Sequence, residues 1–234
     1  MTARALVAGL PIAAIARALG PLREQVVFIG GAIAPLLHSE RVFLQARATD
    51  DVDGVAATAS YGDFHRLEAQ LRQQGFRQDL QDVGHMHRWR SPEGLKFDLV
   101  PSGAHAGGIG NAVDQAAIRT AISLEIEPGL TIRHASAPAF LAQKLLAYRD
   151  RGRGDPPTSD DLTDILALVA ARPGLPGEVS AAESEIRNVI VPGVQEITQH
   201  PDASDLLAGH LGDAQDAGAT AKAVRERLLV LSRA

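Results

Sequence analysis

The sequence predicts an α+β protein, with a mixed α/β lobe over residues 1–135 and a helical lobe over residues 136–234. Three observations predict it. An apolar run, Gln25 to Ile29, enters Gly30-Gly31 and then an apolar stretch, Ala32 to Leu37, that reads as a helix start. Two short segments carrying aspartates among apolar residues, Asp51 to Ala56 and Leu95 to Val100, read as strands. From Pro138 onward the apolar spacing is helical, broken by Pro/Gly stretches at Gly152 to Pro157 and Pro173 to Gly177.

In chain order, Ala5 to Leu19 is largely apolar, with Pro11 in its middle and Arg17 near its end. It reads as an amphipathic surface helix. A signal peptide is the alternative, with Ala14-Ile15-Ala16 as its cleavage site. Gln25 to Ile29 reads as a buried strand, and strand, glycine turn and helix start together make a phosphate-binding geometry. Arg41 to Leu44 reads as a strand or loop. Tyr61 to Gln74 has helical period, with Phe64, Leu67 and Leu71 on one face and Gly75 as its stop. Met86 to Arg90 and Leu95 to Val100 read as strands joined by Ser91-Pro92-Glu93-Gly94, which has strong turn chemistry. Ser102 to Gly110 is glycine-rich and reads as a loop, with no clear helix start after it. The predicted helices of the second lobe are Ala139 to Arg149, Ser159 to Ala171, Glu178 to Val191, Ala203 to Gly209 and Ala219 to Ser232.

Composition narrows the function classes. There are no cysteines, which excludes disulfides and thiolate zinc sites and suits a cytoplasmic protein. No segment is long and apolar enough to span a membrane. Aromatic residues are 4%, too few for a base-stacking platform, and a net charge of -5 argues against a broad nucleic-acid face. Arg149, Arg151 and Arg153 form the densest basic cluster.

The informative stretch is Arg47-Ala48-Thr49-Asp50-Asp51-Val52-Asp53. In a strand, Asp51 and Asp53 project to one side and Val52 to the other. Two carboxylates so close repel unless a cation lies between them, and hard oxygen donors select Mg²⁺ or Mn²⁺. Asp98 stands inside an apolar strand (LKFDLV), where a charge is costly unless paired or metal-bound. Three carboxylates brought to one edge suit two-metal phosphoryl chemistry. Gly30-Gly31 would offer backbone N–H groups to phosphate oxygens at a turn where side chains would block approach. His85 and His87 alternate in a strand without a third ligand at metal spacing and read as surface-facing.

The Gly-Gly after a first strand, Asp-x-Asp on a second and a later Asp flanked by apolar residues resemble the polymerase-β-like nucleotidyltransferase superfamily. Arg47, Thr49, Asp51 and Asp53 resemble the Arg-x-Ser/Thr-x-Asp-apolar-Asp pattern of AbiEii-type nucleotidyltransferases, the toxins of type IV toxin–antitoxin systems. Lys144 to Arg153 and Asp161 to Leu166 are similar to their downstream patterns. The resemblance spans roughly residues 25 to 170. Ala32-Ile33-Ala34 departs from the small polar residue usual after the turn, and the spacing from Gly31 to Asp51 is long.

The resemblance implies NTP-dependent nucleotidyl transfer. Asp51, Asp53 and Asp98 are then catalytic and metal-holding, with Asp98 where a general base for the acceptor would sit. Gly30, Gly31, Arg47, Thr49, Lys144 and Asp161 contact the nucleotide or its surroundings. Asp161 and Asp164 otherwise read as first-turn helix residues behind a Ser159 or Thr158 cap. The implied partners are an NTP, a tRNA or protein acceptor, and a cognate antitoxin. An aminoglycoside-type small-molecule nucleotidyltransferase and a non-catalytic nucleotide- or partner-binding protein remain as alternatives.

Overall fold

A computed structural model describes residues 11–40, 49, 51–58, 60–80, 87–102, 111–152, 155–211 and 217–234. The expected elements at Ala5 to Leu10, Arg41 to Leu44 and Met86 lie outside the described residues. The fold is α+β. The described residues of Met1–Leu36 and Arg47–Ser136 form one compact unit, and those of Leu37–Ala46 and Ala137–Ala234 form a second. Among the described residues, no helix is long and apolar enough to cross a membrane.

The first unit is built on a mixed seven-stranded sheet. Its strands are β1 (Val26–Ile29), β2 (Asp51–Ala56), β3 (Arg77–Gln78), β4 (Arg88–Arg90), β5 (Lys96–Pro101), β6 (Ile122–Glu127) and β7 (Leu130–His134). The spatial order is β3-β4-β5-β2-β1-β7-β6. β2 pairs in parallel with β5 and β1 in parallel with β7, and the remaining neighbours are antiparallel.

Alternation along the strands separates the two faces. Val52, Phe97, Leu99 and Trp89 are fully buried, whereas Asp51, Asp53 and Asp98 are half-buried on the opposite face. Helix α1 (Pro11–Leu19) buries Ile12, Ile15 and Leu19. This places Ala14-Ile15-Ala16, the cleavage site of the signal-peptide alternative, within a packed helix. Ala34–Leu37 forms the short α2, preceded by a single 3₁₀ turn at Gly31–Ile33.

Helix α3 (Tyr61–Gln73) is capped by the Ser60 side chain, which accepts from the Asp63 N–H. It buries Phe64, Leu67 and Leu71. Phe76, just after it, meets Phe97 at 5.9 Å between centroids, and Arg72 stacks 5.0 Å from the Trp89 ring. This side of the sheet is therefore covered, and the aspartates face the other way.

Two elements depart from expectation. Helix α4 (Ala112–Arg119) begins directly after the glycine-rich stretch, where no helix start was expected. Its start is a capping box in which Asn111 accepts from the Asp114 N–H and Asp114 accepts from the Asn111 N–H. The β6–β7 hairpin was also not anticipated, although Ile122 to His134 alternates around Pro128-Gly129. Gly129 has φ 76°, the positive value such a turn requires.

The second unit is helical: α5 (Ala137–Ala147), α6 (Asp160–Ala171), α7 (Leu175–Ser180), α8 (Ser184–Thr198), α9 (Ala203–Leu211) and α10 (Ala217–Leu231). The predicted helix Glu178 to Val191 is two helices. The Arg187 guanidinium donates to the carbonyls of Ser180 and Ala182, satisfying acceptors at the break between them. α8 then continues through Pro192, because Ile190, Gly193, Val194 and Ile197 lie buried on one side. Tertiary packing here outweighs the local cost of proline.

Candidate active site

β2 and β5 place the acids. In their parallel register Asp53 lies opposite Asp98 and Asp51 opposite Lys96, so all four residues share one face. β4 adds Arg88 opposite Asp98 on the other side of β5. Gly54 lets this part of the sheet close up. A Cβ there would sit 2.7 Å from Val26 Cγ1 and 3.1 Å from the Phe97 ring, so the position behind Asp53 is packed solid.

The turn after β1 touches the acids directly. Gly30 has φ 71°, and a Cβ on it would overlap Asp53 Oδ2. Only glycine lets the backbone pass this carboxylate. Gly31 differs from the expectation that both glycines are sterically required. A Cβ there would meet Thr49 at an ordinary 3.7 Å. Thr49 lies beside the turn, and its hydroxyl donates to Asp51 Oδ1 at 2.7 Å. Arg47 lies outside the described residues.

Arg88 is the residue that sequence reasoning missed. Its side chain is 6% exposed, and its fork grips Asp98, with Nε donating to Oδ1 at 2.8 Å and a terminal nitrogen to Oδ2 at 2.6 Å. The same terminal nitrogen reaches Asp51 Oδ2 at 3.2 Å. Bidentate pairing of this kind is among the strongest charge-assisted contacts. The available signal was Arg88-x-Arg90 on a strand that must pair with the strand carrying Asp98.

Lys96 was also overlooked. It is half-buried two residues before Asp98, and among the described residues it has no hydrogen-bond or ion-pair partner. Arg90, opposite it on β4, is held by Asp79 at 2.8 Å.

Three carboxylates on one face suit a hard cation in kind. As arranged, Arg88 and Thr49 engage both oxygens of Asp51, Arg88 engages both of Asp98, and no group of three or more acids or histidines among the described residues converges on a metal position.

His87 corrects the surface-facing expectation, while His85 lies outside the described residues. His87 packs edge-on against Phe64 at 5.7 Å, and its Nε2 is buried without a hydrogen-bond partner. Burial pushes its pKa down, against the opposing pull of the Glu68 and Asp98 charges.

In the second unit, α5 and α6 bring Lys144, Asp161 and Asp164 together. The Lys144 ammonium donates to Asp161 at 3.1 Å and pairs with Asp164 at 2.6 Å. Arg151 adds two bonds to Asp161, at 2.8 and 3.1 Å. The Asp161 side chain is 3% exposed. Burial alone would raise its pKa, but the Arg151 hydrogen bond and the Lys144 charge outweigh burial and hold it below the ordinary carboxylate value. Ser159, not Thr158, caps α6 by accepting from the Leu162 N–H.

No known family profile matches the chain, and no curated protein matches it. Among solved structures it is similar to an antigenic nucleotidyltransferase-like protein from Paracoccidioides brasiliensis, at 20% identity and a TM-score of 0.46, covering 94% of this chain and 92% of that one. It is also similar to a candidate nucleotidyltransferase from H. pylori, at 11% identity and a TM-score of 0.44, covering 95% and 94%. Both likenesses are distant.

Proposed function

We propose that this protein is a nucleotidyltransferase that moves a nucleoside monophosphate from an NTP to an acceptor. One observation carries the reading. Asp53 and Asp98 lie opposite each other on adjacent parallel strands, with Asp51 two residues before Asp53, beside a turn that must be glycine because Asp53 fills the space of a side chain.

In this reading Asp51 and Asp53, with Asp98 completing the site, would hold Mg²⁺ or Mn²⁺, which when bound supplies neutralisation of phosphate charge and activation of the attacking oxygen. The backbone N–H groups of Gly30 and Gly31 meet phosphate oxygens, and Lys96 adds a point charge near them. Asp98 accepts the acceptor's proton. The acceptor oxygen forms a bond to the α-phosphorus, the bond to the β-phosphate oxygen breaks, and pyrophosphate leaves. Catalysis is then chiefly positioning and charge stabilisation. Thr49 lies at the rim, and Arg47 is a nucleotide-contact candidate by its place in the sequence pattern alone. Lys144 and Asp161, the remaining nucleotide-contact candidates, are paired with one another, and a change in KM for NTP in Lys144→Met is the result that would give them that role.

The acceptor class in this reading is a macromolecule, a tRNA end or a protein side chain, in a toxin-like enzyme held in check by an antitoxin. A small-molecule acceptor is the alternative within the same chemistry. Binding of a nucleotide or partner without turnover is a second reading, favoured by the hold of Arg88 on two of the three acids.

The test is incubation of pure protein with each α-³²P-labelled NTP, Mg²⁺ and either bulk tRNA or cell extract. An Asp51→Ala/Asp53→Ala protein runs beside it. Label moved by the wild type alone supports transfer and identifies the acceptor class. Nucleotide binding with no label moved, across every nucleotide and acceptor pool, supports the binding reading instead.

A further inference from the structure

We infer that Arg88 is a built-in counter-ion that competes with a divalent cation for Asp51 and Asp98, so that it sets the metal affinity of the face. The inference rests on the metal-dependent reading above and deepens it.

Three carboxylates on one face of adjacent strands repel one another. Asp53 and Asp98 stand directly opposite, where like charges destabilise a sheet. Arg88 relieves this from the next strand, with Nε and a terminal nitrogen on Asp98 at 2.8 and 2.6 Å and that nitrogen on Asp51 at 3.2 Å. Its charge therefore lies between two acids that a metal reading needs. A carboxylate has lone pairs to spare, but a dication brought to these oxygens meets a fixed positive charge within contact range. Arg88 must loosen its hold on Asp51 and Asp98 before either can serve a divalent cation fully. Arginine cannot shed its proton, so it gives way only by moving. Arg88 is thus a positioning residue: it keeps the acids folded and ordered, at a cost in cation affinity.

The experiment is titration of Mn²⁺ alone into the full-length wild type, Arg88→Gln and Arg88→Lys, by calorimetry and by the loss of free-Mn²⁺ signal in electron paramagnetic resonance. Circular dichroism and thermal melts accompany each titration. Arg88→Gln is expected to bind Mn²⁺ at least about tenfold tighter than wild type, since 1.4 kcal/mol is already a factor of 10. Its melting temperature is expected to fall without Mn²⁺ and to recover with it, by more than the wild type gains. Arg88→Lys keeps the charge but loses the fork, and an intermediate affinity is expected. If Arg88→Gln does not fold without metal, recovery of its melt by Mn²⁺ supports the inference, and failure to recover transfers the decision to Arg88→Lys. Wild type that binds Mn²⁺ no more weakly than the folded variants overturns the inference alone. Wild type and variants that all ignore Mn²⁺ overturn it together with the metal-dependent reading.

Discussion

The two units each bury a cluster of opposed charges, and the clusters differ in their balance. Among the described residues the sheet face carries three carboxylates, Asp51, Asp53 and Asp98, with Arg88 bonded to Asp51 and Asp98 and Lys96 opposite Asp51, and Asp51 is 37% exposed. In the helical unit two carboxylates, Asp161 and Asp164, meet two cations, Lys144 and Arg151, and the acids are nearly sealed. A balanced group with buried acids is satisfied from within, here with Arg151 as its one exposed arm at 71%. An acidic excess that reaches solvent favours the approach of cations. Ion-pair count therefore matters less than the charge left over.

The comparison can be broken most directly at Asp53. Asp53→Ala is expected to cut label transfer by on the order of 10²–10³-fold, the scale for losing one group that stabilises developing charge. Its melting temperature should stay within a few degrees of wild type. Transfer at the wild-type rate would remove the sheet face from the chemistry.

Asp161→Asn tests the other cluster. Leaving Lys144 with Asp164 as its remaining acid is expected to cost about 1–3 kcal/mol in urea unfolding. Loss of transfer with stability untouched would instead make the helical cluster a nucleotide contact.

Acid sharpens the same point. The Asp161 carboxyl titrates below its ordinary value of 3.8, so the folded state binds this proton less readily than the unfolded chain. The stabilisation is full above that ordinary value and is lost as pH falls through the lower folded-state value. Urea midpoints measured from pH 6 downward should therefore fall below about pH 4. The drop should be smaller in Asp161→Asn, and equal slopes in both proteins would assign the acid sensitivity elsewhere.

Much of this was legible from sequence, for identifiable reasons. Asp51 to Ala56 alternates, and it forms a strand over those same residues. Helix α3 has a clear face, a Ser60 cap and a Gly75 stop. The arrangement around the acids was less legible. Arg88 lies ten residues from Asp98, and only the register of β4 against β5 makes them partners. Gly30 and Gly31 look equivalent as letters, yet only Gly30 has Asp53 against it. The β6–β7 hairpin carries alternation and a Pro-Gly turn, but no charged pattern ties it to the aspartate strands, and only its parallel pairing with β1 makes it part of the same sheet. Pro192 signalled a stop that packing overrode.

The strand order has a consequence for how the molecule comes into being. β1 is flanked by β2 and by β7, so Val27 pairs with Arg133, a hundred residues further along. β2 waits in the same way for β5. A chain emerging from the ribosome therefore exposes the apolar edge of β1 until Leu130–His134 is made. Ordering such distant partners is entropically slow. Refolding of the sheet should lag behind the helical unit, whose contacts are shorter in sequence. Helper proteins that shield bare strands would speed the appearance of the aspartate face more than that of the Lys144 cluster.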